Sequence, residues 1–401
     1  MFLEKKLQYS DILEKLAEVL DITPSQYKAA VERYEAVGRW LSKEDSPLAQ
    51  FNPVIYPQGS FRLGTVIKPI TGEDEFDIDL VCLLETNCKD HTQEEVKGMV
   101  GDRLKENDTY KKMLDEEGRR CWTLIYAEST KFHMDILPSI PDECNWLIQQ
   151  GVPFAFAENA ISITDNKAPN YRYKSEYWAK SNPKGYAEWF KEQMKVILNE
   201  RKQTFSEKHQ MSIEQVQDYE VKTPLQRAIQ LLKRHRDLMF KDDENRPISI
   251  IITTLAARSY ANESNIYDAL VGILDRMPNY IETKEINGKQ VKWVVNPVNP
   301  LENFADKWEY EQQKEKNFYK WLAQAKKDIL EAINEIGLDK IAERLKAPFG
   351  ERAVNEAMNR FGNSLRETRE SGKLFMASGT GMLGNEGKTK VQNHTFYGSK
   401  E

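Results

Sequence analysis

The sequence has no long apolar run, no excess of positive charge and few cysteines, and each absence narrows what the chain can do. No stretch approaches the length needed to span a bilayer, and the charged opening Met1-Phe2-Leu3-Glu4-Lys5-Lys6 lacks a secretory pattern, so the expected location is the cytoplasm, with no membrane partner. Lysine and arginine number 57 against 63 aspartate and glutamate, a formal net charge of −6. No overall positive field then draws in nucleic acid, and no duplex is expected as template or activator. Cys82, Cys88, Cys121 and Cys144 show no C-x-x-C spacing and no accompanying histidine pattern, so neither a zinc site nor a redox pair is indicated. At 401 residues the chain supports one large composite fold or two lobes.

What is present is concentrated early in the chain. Gln58-Gly59-Ser60-Phe61-Arg62-Leu63-Gly64-Thr65 is followed by Glu75-Phe76-Asp77-Ile78-Asp79-Leu80-Val81. A Gly-Ser pair opening a helix offers free amides to phosphate oxygens. In an extended strand Asp77 and Asp79 project to one side, and Phe76, Ile78 and Leu80 to the other. Two carboxylates crowded on one face repel unless a cation lies between them, and oxygen-only ligands suit Mg²⁺ or Mn²⁺. Taken alone, the acid-apolar-acid triplet is equally the solvated face of an edge strand.

Displacement with two metal ions calls for a third carboxylate. Asp135 is the candidate, in Phe132-His133-Met134-Asp135-Ile136-Leu137-Pro138, where Phe132, Met134 and Ile136 form the apolar face and Pro138 is expected to end the strand. Gly-Ser, the acidic triplet and a later strand with one more acid, in that order, describe a site for nucleotidyl transfer. His133 is expected to be structural rather than a general base.

These segments resemble the polymerase beta type nucleotidyltransferase superfamily. Ser181-Asn182-Pro183-Lys184-Gly185-Tyr186, Thr223-Pro224-Leu225-Gln226-Arg227, Leu232-Lys233-Arg234-His235-Arg236-Asp237, Pro247-Ile248-Ser249-Ile250, Asn299-Pro300-Leu301-Glu302-Asn303-Phe304 and Phe396-Tyr397-Gly398 are similar to the bacterial CD-NTases, relatives of cyclic GMP-AMP synthase. The resemblance implies an α+β fold: a polymerase beta-like core with a mixed sheet, a long N-terminal supporting helix and a helical C-terminal lobe. It implies synthesis of a cyclic di- or trinucleotide second messenger from nucleoside triphosphates, ATP among them, in anti-phage signalling with a downstream effector. A regulatory or conjugating partner protein belongs to the same picture. The residues themselves leave open a linear oligonucleotide synthetase or a transferase acting on a macromolecular acceptor.

By residue, the resemblance implies that Asp77, Asp79 and Asp135 hold two ions, that Gln58, Gly59 and Ser60 orient the donor triphosphate, and that Lys233 and Ser249 touch phosphate. On sequence alone Lys233, in Lys-Arg-His-Arg, reads as solvated, and Ser249 reads equally as a helix cap. Asp306 is a further candidate for base or ribose recognition. Arg119, Arg120 and Lys131 flank the strands leading to Asp135 and either meet phosphate or form a solvated basic edge.

Three divisions are expected: a core with its N-terminal helices over 1–215, a helical lobe over 216–375 and an irregular tail over 376–401. Helical spacing from Leu7 to Leu41 is broken at Asp21-Ile22-Thr23-Pro24-Ser25, where Thr then Pro restarts a helix. Thr223-Pro224 announces another, with Leu225, Ala228, Ile229, Leu232 and Met239 as its buried stripe. The polar segment between Asp90 and Gly118 reads as exposed. Tyr171, Tyr173, Tyr177 and Trp178 are expected to be mostly packed rather than stacked on bases. Trp308, Phe318, Trp321, Leu322, Ile329, Ile333 and Ile336 recur at helix spacing.

Overall fold

The structure is a computed structural model and describes residues 2–70, 76–126, 132–241, 243–378, 381–384 and 387–393. Glu75, Lys131 and the terminal Phe396-Tyr397-Gly398 and Gly398-Ser399-Lys400-Glu401 lie outside them. The chain divides into two compact units. One comprises Ile22–Lys195 with Ile281–Asp306, the other Met1–Asp21, Val196–Tyr280 and Lys307–Glu401. The split is not the contiguous one at 215/216, because the first helix and the 281–306 segment each pack with the part of the chain distant from them in sequence.

The first unit is built on a sheet of β1 (Val54–Pro57), β2 (Phe76–Leu83), β3 (Trp122–Tyr126), β4 (Phe132–Pro141), β5 (Ile161–Ile163) and β6 (Ala179–Ser181). The order is β1-β2-β4-β5-β6, with β3 also on β4. β2 and β4 run parallel, and the other pairs are antiparallel. Alternation along β2 and β4 is as expected: Phe76, Ile78, Leu80, Phe132, Met134 and Ile136 are buried, while the acids between them face away. Those apolar residues pack with Trp122 and Leu124 of β3 against two helices, Pro24–Leu41 and Gln93–Lys105.

Two expectations fail here. Pro138 does not end β4, which continues to Pro141. β3 pairs with β4 up to Ile136, and β5 takes over from Ser139. The missing N–H of Pro138 falls in the gap between those two ladders, where it interrupts neither. The segment after Asp90 is not simply exposed either: the helix Gln93–Lys105 buries Val96, Val100 and Leu104, and also Gln93, Lys97 and Arg103. The Lys97 ammonium donates to the carbonyls of Gly118 and Arg119 and pairs with Glu117 at 2.8 Å, which is how a buried cation is satisfied there. Of the aromatic set, Trp178 is buried, but Tyr173 and Tyr177 are exposed.

The second unit is mostly helical. Phe2–Leu20 buries Tyr9, Ile12, Leu13 and Leu16, whereas Leu7 is exposed. Thr223 here, like Thr23 in the first unit, caps its helix in a full capping box, with Gln226 and Gln26 respectively, as the Thr-Pro pairs foretold. The helix Pro224–Met239 is buried on all sides from Pro224 to Arg236 rather than along one stripe, and Met239, expected in that stripe, is only half-buried. Trp308, Phe318, Trp321, Leu322, Ile329 and Ile333 are buried as their spacing indicated, and Ile336 is exposed. The tail is not irregular in its described part: Phe375–Met376 pairs with both Leu383–Gly384 and Thr389–Lys390.

Candidate active site

The carboxylates are brought together by strand register. Asp79 of β2 stands directly opposite Asp135 of β4, and Asp77 opposite His133. Neighbouring strands lie about 4.8 Å apart, so Asp79 and Asp135 are direct neighbours, and Asp77, two residues back along β2, shares the same face of the sheet. Asp77 is exposed, and Asp79 and Asp135 are half-buried. His133 Nδ1 lies 3.9 Å from Asp77 Oδ1, beside the acids.

The Gly-Ser turn is pressed onto this face. Gln58 N donates to the Asp79 carbonyl at 2.8 Å, and Gly59–Leu63 follows as a short helix that Gln58 does not cap with its side chain. Phe61 anchors this helix in the core, stacked on Tyr27 with centroids 4.9 Å apart. Gly59 has φ +58°, and a Cβ there would stand 2.3 Å from Asp79 Oδ2. The positive φ favours glycine, and any side chain there would also push on the Asp79 carboxylate. The first turn of the helix Pro183–His209 borders the same corner. Lys184 Nζ lies 4.3 Å over the Tyr56 ring, and Glu188 is 3.5 Å from Arg62.

Thr123 of β3 and Cys121, just before that strand, are two neighbours of Asp135 that sequence reasoning missed. Thr123 is opposite Asp135, and its hydroxyl donates to Asp135 Oδ1 at 2.5 Å. The Cys121 thiol is pushed up by burial and by the negative charge of Asp135, with Asp79 adding to this against a hydrogen bond with Thr123. Only the antiparallel register of β3 on β4 could have revealed Thr123.

Arg119 and Arg120 form an exposed basic edge whose guanidinium groups are tied to one acid. Both pair with Asp165, at 2.7 and 3.2 Å, and its side chain is only 5% exposed. Burial alone would raise the Asp165 carboxyl, but hydrogen bonds from Arg119, the Lys167 amide and Arg120 outweigh it and hold the group below the usual carboxylate range. Burial does raise Glu302, despite a 2.7 Å hydrogen bond from Asn296 and the nearby charge of Arg120. Asn303 of the same motif is structural: its carbonyl accepts from the Val294 and Ala305 amides. Asp306 is exposed in this unit.

Lys233 and Ser249 belong to the helical unit. Lys233, Arg234, His235 and Arg236 are all buried, contrary to the solvated reading of that run. Ser249 is the first residue of its helix, behind Ile248 at the cap position, so its hydroxyl is not the cap. It accepts from Arg236 Nη1 at 2.9 Å, which leaves its own proton to donate elsewhere.

Three carboxylates on one sheet face, beside a glycine turn that leaves room for Asp79 Oδ2, suit divalent cations by donor set. No three His, Cys, Asp or Glu side chains among the described residues close into a ready-made cage.

A mixed sheet with this face defines a nucleotidyltransferase, and comparison with known proteins agrees. Residues 53–138 match the family model described as "Cyclic GMP-AMP synthase DncV-like, nucleotidyltransferase domain". The c-di-GMP synthase of Roseivirga ehrenbergii is 33% identical over 397 residues, 98% of each chain. The cyclic dinucleotide synthase CdnG of Bradyrhizobium diazoefficiens is 25% identical over 93% of this chain and 90% of that one. The solved structure of CdnG in complex with GTP shares the fold, with a TM-score of 0.67 over 88% of this chain and 99% of that one at 22% identity. The chain belongs to the bacterial CD-NTases, nucleotidyltransferases that make cyclic oligonucleotide second messengers.

Proposed function

We propose that this chain joins two molecules of GTP into a cyclic dinucleotide, with Asp77, Asp79 and Asp135 holding two Mg²⁺ or Mn²⁺ ions and Gln58, Gly59 and Ser60 seating the donor triphosphate. The observation that carries the site is the register that sets Asp79 opposite Asp135, with the Gly59 turn against Asp79. Guanine as the base is supported by the relative named c-di-GMP synthase. Lys233, Ser249 and Asp306 are assigned as further nucleotide contacts.

Bound ions would stabilise charge on the entering and leaving oxygens and lower the pKa of the acceptor hydroxyl. The protein's part is alignment. Gln58 and Ser60 hold the donor so that the acceptor ribose oxygen lies in line with the bond to pyrophosphate, and Gly59 keeps that seat in contact with the carboxylates. The oxygen–phosphorus bond forms at the α-phosphorus as the bond to the bridging oxygen breaks. Pyrophosphate leaves with the electron pair, and the acceptor proton passes to solvent. A second transfer closes the ring, and no protein nucleophile takes part. A place in anti-phage signalling, with a regulatory partner and an effector that binds the product, forms part of the same proposal.

The test is incubation with labelled GTP, ATP, CTP and UTP, separately and together, with Mg²⁺ or Mn²⁺ or with chelator. A product from GTP alone that resists phosphatase and a 3′–5′ nuclease, needs metal and vanishes in Asp77→Asn/Asp79→Asn is expected. Label that ends in linear oligomers or on a macromolecule would overturn the cyclase assignment.

A further inference from the structure

The hydroxyl of Thr123 is bound to Asp135, and the rest of the site explains why that matters. Asp135 faces Asp79 on one side, where β2 and β4 run parallel, and Thr123 on the other, where β3 and β4 run antiparallel. Directly opposed residues in an antiparallel pair have Cβ atoms about 4.5–5.5 Å apart. That spacing lets a threonine hydroxyl reach a carboxylate without either backbone moving. The 2.5 Å separation from Asp135 Oδ1 is that of a charge-assisted O–H···O⁻ bond. Trp122 and Leu124, the flanking residues of β3, are buried in the core on the opposite face, so the strand cannot readily roll to release Thr123.

We infer that Thr123 is a positioning residue for the nucleotidyl transfer. It engages Oδ1 of Asp135, restricts the rotamer of that carboxylate and leaves Oδ2 as the oxygen that would meet an ion. β-Branching serves this, because it limits Thr123 to few χ1 wells. The inference rests on the proposed role of Asp135, so its test has to separate the two.

The test compares Thr123→Val, Thr123→Ser and Asp135→Asn with wild type by steady-state kinetics with GTP, by Mn²⁺ binding in the presence of a non-hydrolysable GTP analogue followed by electron paramagnetic resonance, and by thermal melting. Valine keeps the shape and removes the donor. Expected for Thr123→Val is a fall in kcat of about tenfold or more, the effect of one hydrogen bond to a charged group. Mn²⁺ binding should weaken several-fold, while KM for GTP stays within about twofold. Thr123→Ser should recover kcat to within about threefold, a rescue that a purely steric role would not give. If Asp135→Asn is inactive and Thr123→Val matches wild type in kcat and Mn²⁺ binding, the Thr123 inference fails and the site stands. Serine as impaired as valine would also overturn it. If Asp135→Asn itself stays active, the reading of the site fails first.

Discussion

Replacing Gly59 with alanine sets a steric requirement against activity at one atom. Two costs follow from the structure. The first is backbone: an L-residue at φ +58° is strained by about 1–2 kcal/mol. The second is contact: the new Cβ would lie 2.3 Å from Asp79 Oδ2, where ordinary contact begins at 3.4 Å, so the oxygen must retreat by about 1 Å. β2 cannot supply that movement, because Ile78 and Leu80 on either side of Asp79 are fully buried. The carboxylate must rotate instead, and a displacement of about 1 Å in a positioning group costs roughly 100-fold in rate. Gly151→Ala is the control, since Gly151 has φ +83° and no neighbour within 4 Å, so it bears the strain without the clash. Both variants should show similar melting temperatures, a few degrees below wild type. Gly59→Ala should lose about two orders of magnitude in cyclic product formation, and Gly151→Ala should keep wild-type rates. Gly59→Ala within about threefold of wild type would refute the reasoning, as would equal losses in the two.

Two further outcomes can be checked by unfolding. Asp165→Asn removes a buried carboxylate paired with Arg119 and Arg120, and should cost about 1–3 kcal/mol in urea at neutral pH. Because the folded Asp165 carboxyl is held below its ordinary value, its stabilisation is present above about pH 4 and is lost as pH falls through the folded value; wild type and Asp165→Asn should therefore converge in stability at acid pH, and a gap that widens there would show the sign to be wrong. Thr223→Ala removes the hydroxyl that accepts from Gln226 N at 3.3 Å at a buried helix start, and should cost about 1 kcal/mol with product formation unchanged.

The site was legible where its signal is local. The alternation Phe76-Asp77-Ile78-Asp79-Leu80 and its counterpart around Asp135 fix which face each side chain takes, because a strand has a period of two whatever it pairs with. The Thr-Pro helix starts were legible for the same reason, since capping involves residues only three apart. Thr123 and Cys121 were not legible. Nothing in Cys121-Trp122-Thr123 marks it as a site, and its place follows only from the antiparallel register of β3 on β4. Pro138 was misread because a proline is judged against one continuous ladder, and β4 changes partners at that point.

Charged residues misled most, and the errors share one physical cause. Lys97, Arg103 and Lys233 to Arg236 look solvated because polarity is read as a demand for water. What a charged group requires is hydrogen-bonding partners, which a fold can supply from its own backbone and acids. Lys97 finds two carbonyls and Glu117; Arg103 finds Asp45 and Glu106; His235 finds Asp328 at 3.2 Å, which helps hold that carboxyl below its usual range. Each of these partners is at least twenty residues away in sequence, except Glu106, which lies three residues along the chain. Polarity therefore marks which side chains need partners, and only the assembled strands and helices decide whether water or protein provides them.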